Sequence, residues 1–139
     1  MSNSFAIFST RDVYGPGFNL TENSKKKPIN HNGKNRIITE KKILKMRKNV
    51  IIFRVSNIVG KRIYTSNRKV TNLFFDVVRK NLKKKVIIIP EKNYYKDFLL
   101  AEDFGRIVYL SILKNISGIF NLSSSQKTYL KDLANWISD

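Results

Sequence analysis

An α/β fold built on a parallel sheet is what this sequence predicts, and three observations carry that reading. Short apolar runs at Phe5-Ala6-Ile7-Phe8, Val50-Ile51-Ile52-Phe53 and Val86-Ile87-Ile88-Ile89 show little polar alternation, as expected of strands covered on both faces. A helix-favouring stretch from Gly33 to about Lys48 separates the first two, and an amphipathic stretch over 68–83 precedes the third. Strand, helix and strand in alternation is the pattern of βαβ units.

Taken in order, residues 4–9 read as a short, fully buried strand. Residues 15–31 carry Gly15-Pro16-Gly17, three lysines and Pro28, which mark a loop long enough to suggest function. The helix that follows has Ile37 and Leu44 on one side, with Glu40 on the same face, so a carboxylate there needs a partner. The second buried strand runs into Arg54-Val55-Ser56-Asn57-Ile58-Val59-Gly60. Val70, Leu73, Phe74, Val77, Val78 and Leu82 form a helical stripe, closed by lysines that complement the helix dipole. The third strand stops at Pro90. A further helix is expected from about Ala101 to Lys114, a strand over Gly118-Ile119-Phe120-Asn121-Leu122, and a turn at residues 123–125. Thr128 is placed to cap a last helix carrying Leu130, Leu133 and Trp136.

Composition narrows the function classes. The 139 residues suit one domain, and 42% hydrophobic with 12% aromatic content fits a folded core. With no cysteine and a single histidine, thiolate metal sites, disulfides and histidine metal clusters are excluded. No apolar run approaches the roughly 20 residues of a membrane span, and no charged-then-apolar leader opens the chain, so the cytoplasm is the expected location. The net charge of +17 is concentrated between Lys25 and Lys85, which hold 20 basic residues against Glu40 and Asp76. Such a block attracts polyanions, but no nucleic-acid motif or interleaved aromatic surface accompanies it.

Five stretches, in order, resemble the extended short-chain dehydrogenases of the NAD-dependent epimerase/dehydratase family, which act on nucleotide sugars. Ser9-Thr10-Arg11-Asp12-Val13-Tyr14-Gly15 is similar to the strand end with the catalytic Ser/Thr. Thr21-Glu22 and Pro28 resemble the loop before the active-site helix. Residues 54–60 resemble the meeting point of cofactor and substrate sites. Lys96-Asp97-Phe98 with Glu102-Asp103 resembles an Arg-Asp-Phe/Tyr motif, and Gly118-Ile119-Phe120-Asn121 the closing strand. The resemblance covers the family's C-terminal half. It implies an incomplete Rossmann-type parallel sheet (the last strands and helices) plus a small α/β substrate-binding region. Residues 1–60 would be the remnant of the second Rossmann half, and 61–139 the substrate-domain-like region with the closing strand and helix. NAD or NADP is the implied cofactor. The glycines at 15, 17, 33, 60, 105 and 118 form no Gly-rich loop of the kind that holds a pyrophosphate at a helix N-terminus.

Aligned on Gly33 and Glu40, Asn32 stands where the family has its catalytic Tyr and Arg36 where it has the Lys. An amide does not titrate, and a guanidinium stays protonated, so the acid–base pair is lost. Thr10 keeps a hydroxyl at the strand end, available to a ligand or to the local backbone. His31 is adjacent in sequence but lies about 100° around the helix from Asn32. The resemblance further assigns Val55 and Arg36 to the cofactor and Asn57 and Lys96 to the nucleotide-diphosphate sugar, no residue to a metal; Asn57 is equally a turn asparagine after a strand. The expectation is a truncated, inactive nucleotide-sugar enzyme that retains at most sugar-nucleotide binding. Its open sheet edge would be covered by a separate N-terminal half or by self-association. The alternatives are half of a split enzyme and a polyanion-binding module.

Overall fold

The computed structural model describes residues 5–60 and 94–132. The amphipathic helix expected over 68–83, the strand at 86–89, and Leu133 and Trp136 of the last helix lie outside the described residues.

Three parallel strands form the central sheet: β1 (Phe5–Thr10), β2 (Val50–Val55) and β6 (Gly118–Leu122), in the order β1-β2-β6. A 3-10 turn (Arg11–Val13) follows β1, and α1 (His31–Met46) leads into β2. Beyond β2 come β3 (Asn57–Val59), β4 (Tyr95–Lys96), β5 (Phe98–Leu100) and α2 (Ala101–Leu113). After β6, β7 (Thr128–Tyr129) closes the described chain. β3 pairs in parallel with β5, and β4 antiparallel with β7. The parallel α/β reading holds, and the second helix and the closing strand fall where the sequence puts them.

Three expectations are corrected. β1 is not fully buried: Phe5 and Phe8 are each 43% exposed, because β1 is an edge strand paired only with β2 among the described residues. β2, flanked on both sides, is buried at every position. The helix begins at His31, two residues earlier than expected, because the Asn30 side chain caps it by accepting the Gly33 N–H at 2.8 Å; Leu44 is exposed. Thr128 caps no helix among the described residues. It pairs with Lys96 in β7, and helix starts only at Leu130.

Strand alternation gives the sheet two unlike faces. Phe8, Phe53 and Phe120 form one row across the three strands, with centroids 6.4 Å apart at each step, and Phe104 of α2 packs on Phe8 at 5.2 Å. The apolar core of Ile51, Phe53, Val55, Leu99 and Leu122 sits on that side. One residue further along each strand the row is Ser9, Arg54 and Asn121, and α1 covers it. Arg54 is 2% exposed and Glu40, from α1, is 3% exposed. The guanidinium grips the carboxylate with two hydrogen bonds, Nε to Oε1 at 3.1 Å and Nη2 to Oε2 at 2.7 Å. The Ser9 hydroxyl donates to Oε1 at 2.6 Å. Nη1 donates to the Tyr14 hydroxyl at 2.8 Å, which donates in turn to Asn121 Oδ1 at 2.6 Å. Arg54 is thus the partner that Glu40 demands.

Burial pushes the Glu40 carboxyl upward, but hydrogen bonds from Arg54 and Ser9 and the Arg54 charge outweigh it, leaving it below the ordinary value of 4.5. A depressed folded-state value means the pair stabilises the fold fully above that ordinary value and less as pH falls through the folded-state one. Removing one partner strands the other as a buried charge, so Glu40→Gln is expected to cost about 3–5 kcal/mol. Urea unfolding between pH about 7 and about 3 checks both points: the wild type loses stability on acidification, and Glu40→Gln starts lower and falls less.

Candidate functional site

A cleft of about 840 Å³ opens at the carboxyl ends of β1 and β2, where ligands bind in open α/β sheets. Its wall is built by six elements: Phe8, Ser9 and Thr10 at the end of β1, Asp12 in the 3-10 turn, and Asn32 and Arg36 on α1 are three of them. Val55 ends β2, Ser56 links it to Asn57 and Ile58 of β3, and Phe104 comes from α2.

The local chemistry explains the assembly. Thr10 ends its strand in extended backbone, and its Oγ1 accepts the Asp12 N–H at 3.3 Å, so the hydroxyl serves the local backbone and keeps its own proton to donate. Gly33 lets the first turn of α1 press on the 3-10 turn: a Cβ there would strike the carbonyl of Asp12 and crowd Pro28. Gly15, at φ +74°, permits the reversal that carries the chain from the 3-10 turn into the loop. The loop then returns through Glu22, whose carboxylate accepts the Asn121 N–H at 2.7 Å. That backbone hydrogen bond is the main reason its carboxyl lies below the ordinary range.

Asn32, Arg36 and Glu40 follow one another at intervals of four along α1, so they share a face. Glu40 is locked to Arg54 beneath the sheet end, and this sets the rotation of the helix that turns Asn32 and Arg36 to the cleft. His31 is exposed and absent from the wall.

Of the residues singled out by sequence, Thr10, Asn32, Arg36, Val55 and Asn57 converge on the cleft, and Lys96 is not on its described wall. Asn57 is no free turn residue: it opens β3 and its Nδ2 donates to the Asp97 carbonyl at 2.8 Å. Asp97 itself is a junction. Its carboxylate accepts the Ser56 hydroxyl at 2.8 Å, the Ser124 N–H at 2.9 Å and the Ser124 hydroxyl at 3.0 Å. The residue that sequence reasoning passed over is Asp12. It stands in the quoted motif two residues after Thr10, but only the fold shows its carboxylate between Asn30 and Asn32, with Nδ2···Oδ2 distances of 3.1 and 3.4 Å.

A dinucleotide cofactor needs N–H groups for its pyrophosphate as well as a seat for its nicotinamide end. Neither described helix that could supply them does so. The N-terminus of α1 is capped by Asn30, and the first turn of α2 carries Glu102 and Asp103. The described residues therefore do not fit a pyrophosphate, and only the cleft mouth by Val55 remains for the other end.

No protein-family model matches the sequence, and no curated protein matches it. Solved structures do. The chain is similar to a UDP-glucuronic acid 4-epimerase from Bacillus cereus, in complex with UDP-4-deoxy-4-fluoro-glucuronic acid and NAD, with a TM-score of 0.80 and 20% identity over 97% of this chain and 44% of that one. It is similar to the Bordetella bronchiseptica enzyme WbmG in complex with NAD (TM-score 0.76, 23% identity, 95% and 41%). It is similar also to RMD from Pseudomonas aeruginosa complexed with NADPH (TM-score 0.77, 18% identity, 97% and 49%). The fold is therefore the Rossmann-like α/β fold that these proteins share, in part: the chain spans less than half the length of each of the three.

Asp97→Ala removes three hydrogen bonds to a carboxylate at once. It is expected to lower stability by about 2–4 kcal/mol. Hydrogen exchange should show the loss first in β3 and in the turn at residues 123–125.

Proposed function

We propose that this chain is a nucleotide-sugar-binding protein derived from the NAD(P)-dependent epimerases, dehydratases and reductases, without their catalytic turnover. The observation that carries the proposal is the cleft itself. Residues 10, 32, 36, 55 and 57, far apart in sequence and selected by family position, line one cavity at the strand ends. Its size suits a sugar nucleotide better than a single ion.

The loss of turnover follows from chemistry at α1. Oxidising a sugar hydroxyl requires a group that takes its proton, and Asn32 has none to offer or accept by titration. Arg36 holds a positive charge at the cleft and can attract a diphosphate, but it does not lower the pKa of a phenol that is absent. On this reading the residues that remain serve binding, with Thr10 donating to a ligand oxygen and Asn57 presenting the amide oxygen that its bond to Asp97 leaves over.

In this proposal residues 1–60, with the closing strand, supply the second half of a Rossmann sheet, and the rest of the chain supplies the substrate region. NAD(P) binding then needs the Gly-rich half from another polypeptide or segment, seated on the edge of β1. The two phenylalanines half-exposed on that strand, Phe5 and Phe8, support such a cover.

A second reading has its own observation. All ten cations between Lys25 and Lys48 are exposed, and Glu40, the one carboxylate among them, is turned inward to Arg54. That leaves the outer face of α1 and the Lys25–Lys27 end of its leading loop positive, a surface for a polyanion.

Calorimetry on the full chain decides between them. UDP- or dTDP-sugars at millimolar concentration are expected to bind with one site per chain and to raise the melting temperature. Absence of both heat and shift removes the proposed function. Binding of a random-sequence oligonucleotide that weakens steeply with salt, with no response to sugar nucleotides, establishes the second reading instead.

A further inference from the structure

We infer that the chain carries a second binding surface, away from the cleft, on which the bases of a single-stranded nucleic acid stack. It rests on its own residues and is independent of what occupies the cleft.

No aromatic surface accompanies the cations along the sequence, but the fold gathers three rings from distant segments. Tyr95 of β4 and Tyr129 of β7 lie directly opposite each other in the antiparallel ribbon, so their side chains share a face. Their rings meet edge to face with centroids 5.7 Å apart. Phe18, from the loop after the 3-10 turn, brings its ring to 5.5 Å from that of Tyr95. Lys127, two residues before Tyr129, sets its ammonium 5.1 Å from the Tyr95 centroid, within the range at which a ring face holds a cation. None of the four lines the cleft.

Rings that served packing alone would be covered, and these are not. Phe18 is 74% exposed and Tyr129 37%. The loop that presents Phe18 is pinned on both sides of it: the Gly15 N–H donates to the Asp12 carbonyl at 3.2 Å, and the Leu20 carbonyl accepts from Asn121 Nδ2 at 3.1 Å. Between these ties the Leu20 side chain packs where a Cβ on Gly17 would stand, and Asn19 takes a left-handed φ of 49°, which asparagine tolerates. On the other side Asp97 holds Ser124, whose Oγ accepts the Gln126 N–H at 3.1 Å just before Lys127. A surface fixed in advance loses little entropy when a ligand stacks on it.

Charge decides the kind of ligand. The segments that supply the patch, 15–30, 94–97 and 123–131, hold six lysines against two carboxylates. Both carboxylates are engaged within the protein, Glu22 with the Asn121 N–H and Asp97 with Ser56 and Ser124. An acidic peptide would use the lysines and leave the ring faces idle, and an apolar one would do the reverse. A single strand offers flat bases and regular phosphates together, whereas in a duplex the base faces are already stacked on one another.

The test is fluorescence anisotropy on the full chain with a labelled oligo-dT of about 12 nucleotides at about 50 mM salt. An abasic strand of the same length, which has the phosphates and no bases, separates stacking from charge. Wild type is expected to bind oligo-dT at least about tenfold more tightly than the abasic strand. Phe18→Ala, at an exposed position, should lose about tenfold for oligo-dT and nothing for the abasic strand. Phe18→Trp, which restores a ring, should bind as wild type does, with the added indole quenched by the bases. Lys127→Gln should reduce the slope of log affinity against log salt by about 0.7 for both strands. UDP-glucose should leave oligo-dT bound. Oligo-U in parallel tells RNA from DNA, and the same expectations apply to whichever strand binds more tightly.

Equal binding of the base-bearing and abasic strands, or a Phe18→Ala variant that binds oligo-dT as wild type does, overturns the stacking surface and leaves attraction by charge alone. Displacement of the strand by UDP-glucose places the bases in the cleft and overturns it as well. Absence of binding by both oligo-dT and oligo-U overturns the surface and leaves the nucleotide-sugar reading of the cleft to its own test.

Discussion

One buried ion pair holds the structure's parts in register. Arg54 sits in the middle of a strand that is otherwise Val, Ile and Phe, a position where a charge is costly unless every donor is used. Four of its hydrogen bonds are accounted for, to Glu40 twice, to the Tyr14 hydroxyl and to the Glu22 carbonyl at 3.3 Å. Through them α1, β2 and the loop after β1 are tied to one point, with β1 and β6 joined to it by Ser9 and Asn121. Because these are geometric demands, they fix how α1 is rotated on the sheet. A hydrophobic pair of similar size would stabilise the same contact and leave that rotation freer.

The opposite face of the sheet is held by different means. The aromatic row across β1, β2 and β6 and the packing of α2 give area without direction, and the surface they leave is incomplete. Ile107, Leu110, Ile112 and Leu113 of α2 are exposed together with Phe8 on the bare side of β1. At the other end of that strand, the Arg47 guanidinium lies 4.0 Å from the Phe5 ring, a local cover for one of the two rings. Among the described residues this apolar helix face lies beside an edge strand that has one neighbour, β2. The chain spans 41%, 44% and 49% of the three solved structures compared above.

What the sequence made legible was whatever a local pattern encodes. The apolar runs marked β1 and β2, the spacing of charged and apolar residues marked α1 and α2, and the motif around Thr10 marked the strand end. Glu40 on an apolar helix face announced a partner without naming it, because register across a sheet is a tertiary property: only the pairing of Ser9 with Arg54 and of Arg54 with Asn121 shows that the three share a row. The exposure of β1 was hidden for a similar reason, since an edge strand and a central one can carry the same apolar run. Thr128 read as a helix cap by residue type, and the competing claim of Lys96 on its backbone was invisible. Asp12 escaped notice because a carboxylate after a strand is ordinary until Asn30 and Asn32, some twenty residues on, are seen to hold it.

The placement of the cleft wall and the chemistry of its surface depend on different residues. Positioning in this cleft comes from Gly33, which admits the close approach of α1, and from Glu40, Arg54 and Asp97, which bear the polar load underneath. None of these needs a titrating group at position 32 or an ammonium at position 36. The side chains at those two positions therefore decide what the wall of the cleft can exchange with a ligand without deciding where the wall stands. Binding asks only for donors and acceptors at fixed places, and the site still presents a hydroxyl, a carboxylate, two amides and a guanidinium. Proton transfer asks in addition for a group whose charge can change near neutrality, and the residues α1 turns to the cleft are Asn32 and Arg36.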